Sequence, residues 1–288
     1  MTDPFLKWPG SKRQLLTKLR AILPPGNRLV EPFVGSMAVA ASLDYPAYLL
    51  ADSNADLMRM YQYLATHGAE FIGHCERLFV PENNTKPAYY QKRAEFNAGR
   101  NLYRRACVML YLNRHCFNGL WRVNSRGHFN APVGSYKKPY FPRMEMEGIL
   151  SFLTTAKPVL RCQDFTATFA EARPGDVIYC DPPYIPTSPT SFTAYGKEGF
   201  GVDEQKALAA CAEDAQAAGI SVVISNSDCE ESRRIFHHAK IYSITGVQRS
   251  IAASGGRRRK MSEIIAVYAA TSAASSSNTF MSSGSLSA

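Results

Sequence analysis

Four consecutive residues, Asp181-Pro182-Pro183-Tyr184, follow directly on the apolar run Val177-Ile178-Tyr179-Cys180. Together they suit the activation of a planar exocyclic amine. The lone pair of such an amine is delocalised into its ring, and the nitrogen becomes nucleophilic only when acceptors draw both hydrogens toward a tetrahedral arrangement. A strand ending in this tetrapeptide puts the Asp181 carboxylate and the Pro182 carbonyl at a sheet's carboxyl edge, where open α/β folds bind ligands. Tyr184 adds a ring face on which a base can stack. The two prolines supply no backbone donor and narrow φ, which stiffens the loop with its carbonyl outward. The plainer alternative is a rigid strand-to-loop turn, for which these residue types are equally suited, so the rest of the chain has to discriminate.

A second ligand is indicated upstream. Glu31-Pro32-Phe33-Val34-Gly35 ends a short apolar strand in a glycine turn, and Gly35 allows the amino-acid moiety of a nucleoside cofactor to approach the backbone. Asp52 closes the next apolar run, Tyr48-Leu49-Leu50-Ala51, where a carboxylate accepts both ribose hydroxyls, as in dinucleotide-binding folds. Glycine turns are common between strands and helices, so the pairing with Asp52 carries more than either residue alone. The turn lacks the G-x-G-x-x-G pyrophosphate cradle, which argues against NAD or FAD. In Phe5-Leu6-Lys7-Trp8-Pro9-Gly10-Ser11-Lys12, Lys12 can satisfy a ligand carboxylate and Trp8 can cover it. The alternative is an amino-terminal loop packed by Trp8 with solvated lysines.

Between these motifs lies Asn113-Arg114-His115-Cys116-Phe117-Asn118-Gly119-Leu120-Trp121-Arg122, followed by Tyr136-Lys137-Lys138-Pro139-Tyr140. Aromatics interleaved with Arg, Lys and Asn support phosphate contacts, base-edge contacts by Arg and wedging by Phe within one module. Otherwise they form a surface helix hairpin whose aromatics pack and whose charges are solvated. Arg257-Arg258-Arg259-Lys260, after a Gly-Gly pair, reads as a solvated basic loop or as a phosphate clamp.

Composition narrows the classes. The 288-residue chain carries 33 Lys and Arg against 24 Asp and Glu, a net charge of +9, which suits a polyanionic partner. Its 7 cysteines are odd in number and form no C-x-x-C pair, so neither a disulfide framework nor a zinc site is indicated and a reduced compartment fits. No metal is expected, because the 6 histidines include no H-E-x-x-H. No apolar stretch approaches the roughly 18–20 residues of a membrane span and no secretory signal pattern is present, so a soluble, unexported protein without a membrane partner is expected.

The elements that must position these residues follow from periodicity. An apolar helix-like run covers 15–22. A short strand running into a glycine turn over 29–35, a helix opening at 37–43, strand Tyr48–Asp52 and helical spacing over 56–64 make a βαβ start. From 70 to 142 the pattern turns rich in Arg, Lys, Asn, Tyr and Phe, with a helical core over 102–112 and little strand signal. Strands resume at 159–164 and 177–180. An Ala-rich helix over 203–218 begins at Asp203 as its cap, strand 220–226 follows, and 241–245 with 264–268 form an antiparallel hairpin closing the sheet edge. Beyond 271 the Ser, Ala, Gly and Asn composition predicts a disordered tail. The expectation is an α/β core formed by 1–69 and 143–270, a small helical domain at 70–142 and a tail at 271–288.

Taken together, these segments resemble the Dam-type DNA adenine methyltransferases of the D12 class, over nearly the whole span from Phe5 to Tyr268. The most specific likenesses are Leu6-Lys7-Trp8-x-Gly10-x-Lys12, Leu29-Val-Glu-Pro-Phe-Val-Gly35, Leu50-Ala51-Asp52-x-Asn54, the stretch 113–122, Tyr136-Lys-Lys-Pro-Tyr-Phe-Pro142 and Tyr179-Cys-Asp-Pro-Pro-Tyr184, in matching order. The resemblance implies a Rossmann-like methyltransferase core whose mostly parallel twisted sheet is closed by an antiparallel hairpin, with a small helical DNA-recognition domain. It implies S-adenosylmethionine as donor, held by Trp8, Lys12, Phe33, Gly35 and Asp52, with Asp164 a partner of the adenine or its neighbourhood and Asp181 bridging both sites. Catalysis then falls to Asp181, Pro182, Pro183 and Tyr184, acting on an adenine flipped out of double-stranded DNA. A GATC target is implied, with Lys7 and Arg122 reading guanines, Leu120 touching a thymine methyl, Phe117 wedging into the stack and Asn118 near the orphaned base. Pro132, Tyr136 and Lys137 match further DNA-contact positions. A monomer in the cytoplasm, nucleoid-associated in a bacterial host, is expected.

The chain departs from the family pattern in four places. Met37 stands where a second glycine is frequent, Gly10-Ser11 where a Gly-Gly pair is frequent, and His115 and Trp121 at positions usually filled differently. Two rivals stay open at this point: a methyltransferase acting on RNA or a protein amide, and a catalytically silent DNA-binding regulator of the same fold.

Overall fold

The structure is a computed structural model, and it describes residues 3–10, 12–185, 200–248 and 260–270. The basic run at 257–259 and the tail from 271 lie outside the described residues.

Seven strands form one sheet in the order β3-β2-β1-β4-β5-β7-β6. They are β1 (Arg28–Glu31), β2 (Tyr48–Asp52), β3 (Val159–Cys162), β4 (Asp176–Cys180), β5 (Ser221–Ser227), β6 (Lys240–Gln248) and β7 (Lys260–Tyr268). The first five in chain order run parallel, while β7 is antiparallel to both β5 and β6. This is the mostly parallel, Rossmann-like methyltransferase sheet with a carboxyl-terminal hairpin that the sequence predicts. The chain moves outward from β1 through β2 to β3 on one side and from β4 to β5 on the other. The carboxyl ends of adjacent β1 and β4 therefore flank the topological switch point, where such folds hold ligands.

Alternation along the strands divides the apolar residues into two layers. Leu29, Leu50, Val177, Tyr179, Val223 and Ile265 face one layer, and Val30, Leu49, Ile178, Cys180, Val222, Ile224 and Ile264 the other. The first layer is covered by α1 (Leu16–Ile22), α2 (Ala55–Glu76) and α5 (Arg143–Ala156); the second by α6 (Phe165–Ala170), α7 (Val202–Ala217) and α8 (Glu230–Ile235). Both faces are buried, which is why the parallel strands read as continuous apolar runs rather than alternating ones.

Helix α2 carries the chain away from the sheet. Asn54 caps its amino end, its side chain accepting from the Asp56 and Leu57 N–H groups. The helix is interrupted at Gly68, where φ is 52°, and then packs with α4 (Leu102–His115), against which α3 (Lys86–Ala98) lies. An ion pair fixes this junction: Arg105 donates from Nε and a terminal nitrogen to the two Asp56 oxygens at 2.6 and 2.7 Å. Beyond α4 the chain makes a tight turn at Phe117–Gly119 and a small hairpin closed by the Val123–Phe129 bridge.

Two local expectations are corrected. Residues 37–43 open no α-helix but hold one short 3₁₀ turn, Ala40–Ser42, because Met37 adopts φ 61°. Asp203 is not the cap of α7; Gly201 is, its N–H donating to Glu204 Oε2 at 2.7 Å, while Asp203 pairs with Lys206 in the first turn.

At the amino ends of β1 and β4, register partners Arg28 and Asp176 form a buried ion pair at 2.6 Å, and Asp176 also accepts from the Arg173 N–H. Removing one partner strands the other charge, so Asp176→Ala should lower the unfolding free energy by about 3 kcal/mol. Urea melts would register this as a fall in midpoint at unchanged slope.

Candidate active site

Asp181 leaves the carboxyl end of β4, whose last residues Asp176–Cys180 are all buried. Its Oδ1 lies 2.6 Å from the Lys12 ammonium, which is only 4% exposed, donates to the Gly10 carbonyl at 2.7 Å and stands 4.8 Å from the centre of the Tyr184 ring. Gly10 has φ 80°, so the chain reverses there at little cost and aims its carbonyl back at the lysine. The amino-terminal loop and the Asp-Pro-Pro-Tyr turn thus form one unit. Lys12, expected to meet a ligand carboxylate, meets the protein's own.

The tetrapeptide is braced from behind by residues that the sequence reading did not single out. Gln205 Nε2 donates to the Pro183 carbonyl at 2.7 Å, and the Tyr184 hydroxyl donates to Glu263 Oε2 at 2.9 Å. Asn226 Oδ1 accepts from the Ile185 N–H at 3.2 Å, while its amide nitrogen donates to Gln205 Oε1 at 3.0 Å. Glu263, Gln205 and Asn226 are all nearly or fully buried. The one available signal was Ser225-Asn226-Ser227, polar residues closing an otherwise apolar strand.

Across the switch point, β1 ends in Glu31 and turns through Gly35 (φ 46°). A methyl at Gly35 would sit 3.1 Å from Trp8 Cδ1 and 3.2 Å from Trp8 Nε1, so a side chain there would press on the indole as well as strain a backbone at φ 46°. Asp52 closes β2 beside it: Oδ2 accepts from the Gly35 N–H at 3.1 Å and Oδ1 from the Asn54 N–H at 2.9 Å. Burial raises the Asp52 pKa, and those two N–H groups oppose the shift. Phe33 stacks on Phe165 at 5.7 Å and meets Phe200 edge-on at 5.4 Å. Asp164 lies at the end of β3, exposed, and its Oδ1 caps α6 by accepting from the Ala167 N–H and the Thr166 hydroxyl, which lowers its pKa.

Glu31 is the residue most at odds with its surroundings. It is 2% exposed, and Oε1 meets no donor among the described residues. Its pKa is pushed well up, first by burial and then by the Asp181 charge, against one hydrogen bond from the Ala40 backbone.

Several of the residues expected on DNA are joined by contacts with one another. Lys7 Nζ stands 4.0 Å above the Tyr136 ring, and the Lys7 backbone pairs in both directions with the buried Asn113 amide at 2.9 and 2.8 Å. Phe117 is 41% exposed on a tight turn whose Asn118 has φ 52°, and its N–H donates to the Pro132 carbonyl at 2.9 Å. Leu120 is half-buried and Lys137 exposed. Arg122 donates from Nε to Asn130 Oδ1 at 2.7 Å. His115 and Trp121 are core residues: His115 stacks on Tyr111 at 3.8 Å, with its pKa pushed down to about 4 by burial.

Among the described residues no cluster of three metal-ligating side chains occurs, and no helix is long and apolar enough to cross a membrane. A doubly wound sheet carrying Asp-Pro-Pro-Tyr at its switch point, next to a glycine turn and a strand-terminal aspartate, defines a Rossmann-like methyltransferase. The family model for the D12 class N6 adenine-specific DNA methyltransferases matches residues 8–250, and the chain belongs to that family. It is 44% identical over 253 residues to a DNA adenine methylase of Vibrio cholerae serotype O1, covering 87% of this chain and 90% of that one. It is 43% identical over 252 residues to a DNA adenine methylase of Escherichia coli K12, with the same coverage, and 43% identical over 242 residues to one of Serratia marcescens, covering 83% and 89%. The protein is an adenine-specific DNA methyltransferase that uses a methyl donor.

Because the folded-state pKa of Glu31 lies above its unfolded value, the stability it allows is full below about pH 4.5 and is lost as pH rises toward the folded value. Glu31→Gln should therefore raise the melting temperature at pH 8, with a gain that shrinks to nothing near pH 4.5. Calorimetric melts across that range would show it, and a constant difference at every pH would contradict it.

Proposed function

We propose that the protein transfers the methyl group of S-adenosylmethionine to the exocyclic amine of an adenine extruded from double-stranded DNA, within GATC. The observation that carries this reading is Asp181 at the carboxyl end of β4, gripped by buried Lys12 and facing the β1 turn. The donor fits the residues present. The Gly35 turn, with its φ of 46° and no side chain, lets a ligand approach its backbone, Trp8 flanks it, and the partly exposed Asp52 at the next strand end suits ribose hydroxyls. Lys12, Phe33 and Asp164 complete the set of proposed donor contacts, and Asp181 touches both ligands. When bound, the donor supplies a methyl group already activated on a sulfonium.

The protein's own task is alignment and polarisation. Asp181 and the Pro182 carbonyl accept the two amine hydrogens, and the double proline holds that carbonyl in place. Lys12 fixes the carboxylate, and Gln205 occupies the next carbonyl, so the acceptor pair needs no reorganisation during reaction. Tyr184, anchored by Glu263, offers its ring to the adenine. Asp181 need not be a strong base, since the methylated amine is acidic and sheds its proton to water afterwards.

On the DNA side, Lys7 and Arg122 read guanines, Leu120 meets a thymine methyl, Phe117 wedges into the stack and Asn118 lies by the orphaned base. Pro132, Tyr136 and Lys137 add contacts. Residues 70–142 then form the recognition unit and 1–69 with 143–270 the catalytic one, acting as a monomer in the cytoplasm at the nucleoid. The support is the set of contacts described above and the +9 net charge.

Incubating unmethylated plasmid with protein and S-adenosylmethionine, then mapping modified bases by long-read sequencing, should show N6-methyladenine confined to GATC. Modification elsewhere would remove the target assignment. Asp181→Ala should abolish transfer while duplex affinity stays near wild type; near-normal turnover would remove the catalytic assignment. Arg122→Ala should relax discrimination at one guanine by about 1–3 kcal/mol, read as the ratio of kcat/KM for matched and substituted duplexes.

A further inference from the structure

The chain contains 2 tryptophans, and they touch. Trp8 and Trp121 stack with ring centres 6.3 Å apart and planes 24° from parallel. Trp121 is 7% exposed, locked between Phe96 of α3 at 5.5 Å and Phe129 of the small hairpin at 4.5 Å. Trp8 also meets the Gly35 turn, its Cδ1 and Nε1 lying 3.1 and 3.2 Å from where a Gly35 side chain would begin. The order of contacts is thus hairpin, Trp121, Trp8, Gly35 turn.

Each tryptophan is also the chain neighbour of a residue proposed to read a guanine, Trp8 of Lys7 and Trp121 of Arg122. The two segments cannot slide past each other freely. Gly119 lies so close to Lys7 that an added Cβ would come within 2.4 Å of the Lys7 Cβ, and Asn113 pairs with the Lys7 backbone in both directions. A shift of the 117–122 segment on meeting DNA is therefore transmitted to Trp8, and a ligand that presses on Trp8 is felt at the reading loop.

We propose that Trp121 is a positioning residue for the methyl donor, and that its stack on Trp8 couples occupation of the recognition surface to donor affinity. The inference rests on the reading above in which Trp8 flanks the donor. Coupling between two ligands is reciprocal in their binding free energies, so DNA tightens the donor and the donor tightens DNA by one common factor. An aromatic stack of this kind supports a factor of about two to ten.

The test uses the full-length protein and S-adenosylhomocysteine, which binds as the donor does but cannot react. Its dissociation constant is measured by calorimetry with and without a GATC duplex, for wild type, Trp8→Phe, Trp121→Leu, Trp121→Phe and the Trp8→Phe/Trp121→Leu double variant. Wild-type tryptophan fluorescence, which arises from this pair alone, should change as the ligand is added. Trp121→Leu should weaken the ligand about two- to tenfold and bring the coupling factor toward one, Trp121→Phe should restore most of both, and the double variant should lose less than the sum of the singles. If Trp121→Leu does not hold its melting temperature, Trp121→Met, which fills the site without a ring, and Trp8→Phe with their double variant supply the cycle. Strict additivity, or unchanged affinity in a folded Trp121→Leu, overturns the proposal while the donor site stands. Failure of the wild type to bind the ligand at all overturns both.

Discussion

The contact on which the site depends is the buried ion pair between Lys12 and Asp181. An ammonium group that is 4% exposed is sustained only by full compensation, and here it has a carboxylate at 2.6 Å and a carbonyl at 2.7 Å. A buried cation without its partner costs several kcal/mol, so separating the amino-terminal loop from the end of β4 strands a charge unless water reaches it. What this loop carries, Lys7 against Gly119 and Tyr136 and Trp8 against the Gly35 turn, lies within a few residues of that pair. Strand β4 is pinned by charge at both ends, with Asp176 on Arg28 at its start and Asp181 on Lys12 just past its finish.

The second constraint is the polar network behind the tetrapeptide. Gln205, Asn226, Ser227 and Glu263 come from α7, β5 and β7, and they satisfy one another and the loop: the Ser227 hydroxyl donates to the Ile185 carbonyl at 2.6 Å, and the Ser227 N–H donates to Asn226 Oδ1 at 2.9 Å. Such networks are stiff when complete and costly when partial. Stiffness is what an acceptor pair needs if its geometry is to favour a tetrahedral nitrogen over a planar one. Glu31 is the exception, a buried carboxylate at the end of β1 with one oxygen lacking a donor among the described residues.

The sheet was legible because burial on both faces writes parallel strands as short apolar runs, and because three of those runs end at or just before a residue proposed for the site: Asp52 at the end of β2, Asp164 just beyond β3 and Asp181 just beyond β4. The helices of the 70–142 segment were less so. In α3, Lys86–Ala98, only Tyr89 and Phe96 are fully buried and most of the rest is polar, so its period is faint. At 37–43 the small apolar residues imitate a helix, and the backbone obeys the turn instead. The braces were illegible for another reason. Gln205 meets Pro183, and Glu263 meets Tyr184, across distances in sequence that no local pattern encodes. His115 and Trp121 stood out as unusual within a reading stretch, whereas their environment makes them packing residues.

Met37 shows how the turn proposed to meet the donor is held without the glycine often found there. Its φ of 61° costs a side-chain-bearing residue about 1–2 kcal/mol, but its side chain is fully buried in the larger core layer, and such burial contributes about 1.5–3 kcal/mol. Burial therefore offsets strain. The turn is then specified by packing from the helical layer rather than by backbone freedom, together with the Met37 N–H to Val34 carbonyl bond at 2.8 Å and the Tyr61 hydroxyl, which donates to the Gly35 carbonyl at 2.8 Å. Tyr61 lies on α2, the helix that leads into the 70–142 segment and packs with α4. The glycine turn consequently takes its shape from the same layer that carries Trp121, and the two halves of the proposed active site are parts of one packed body.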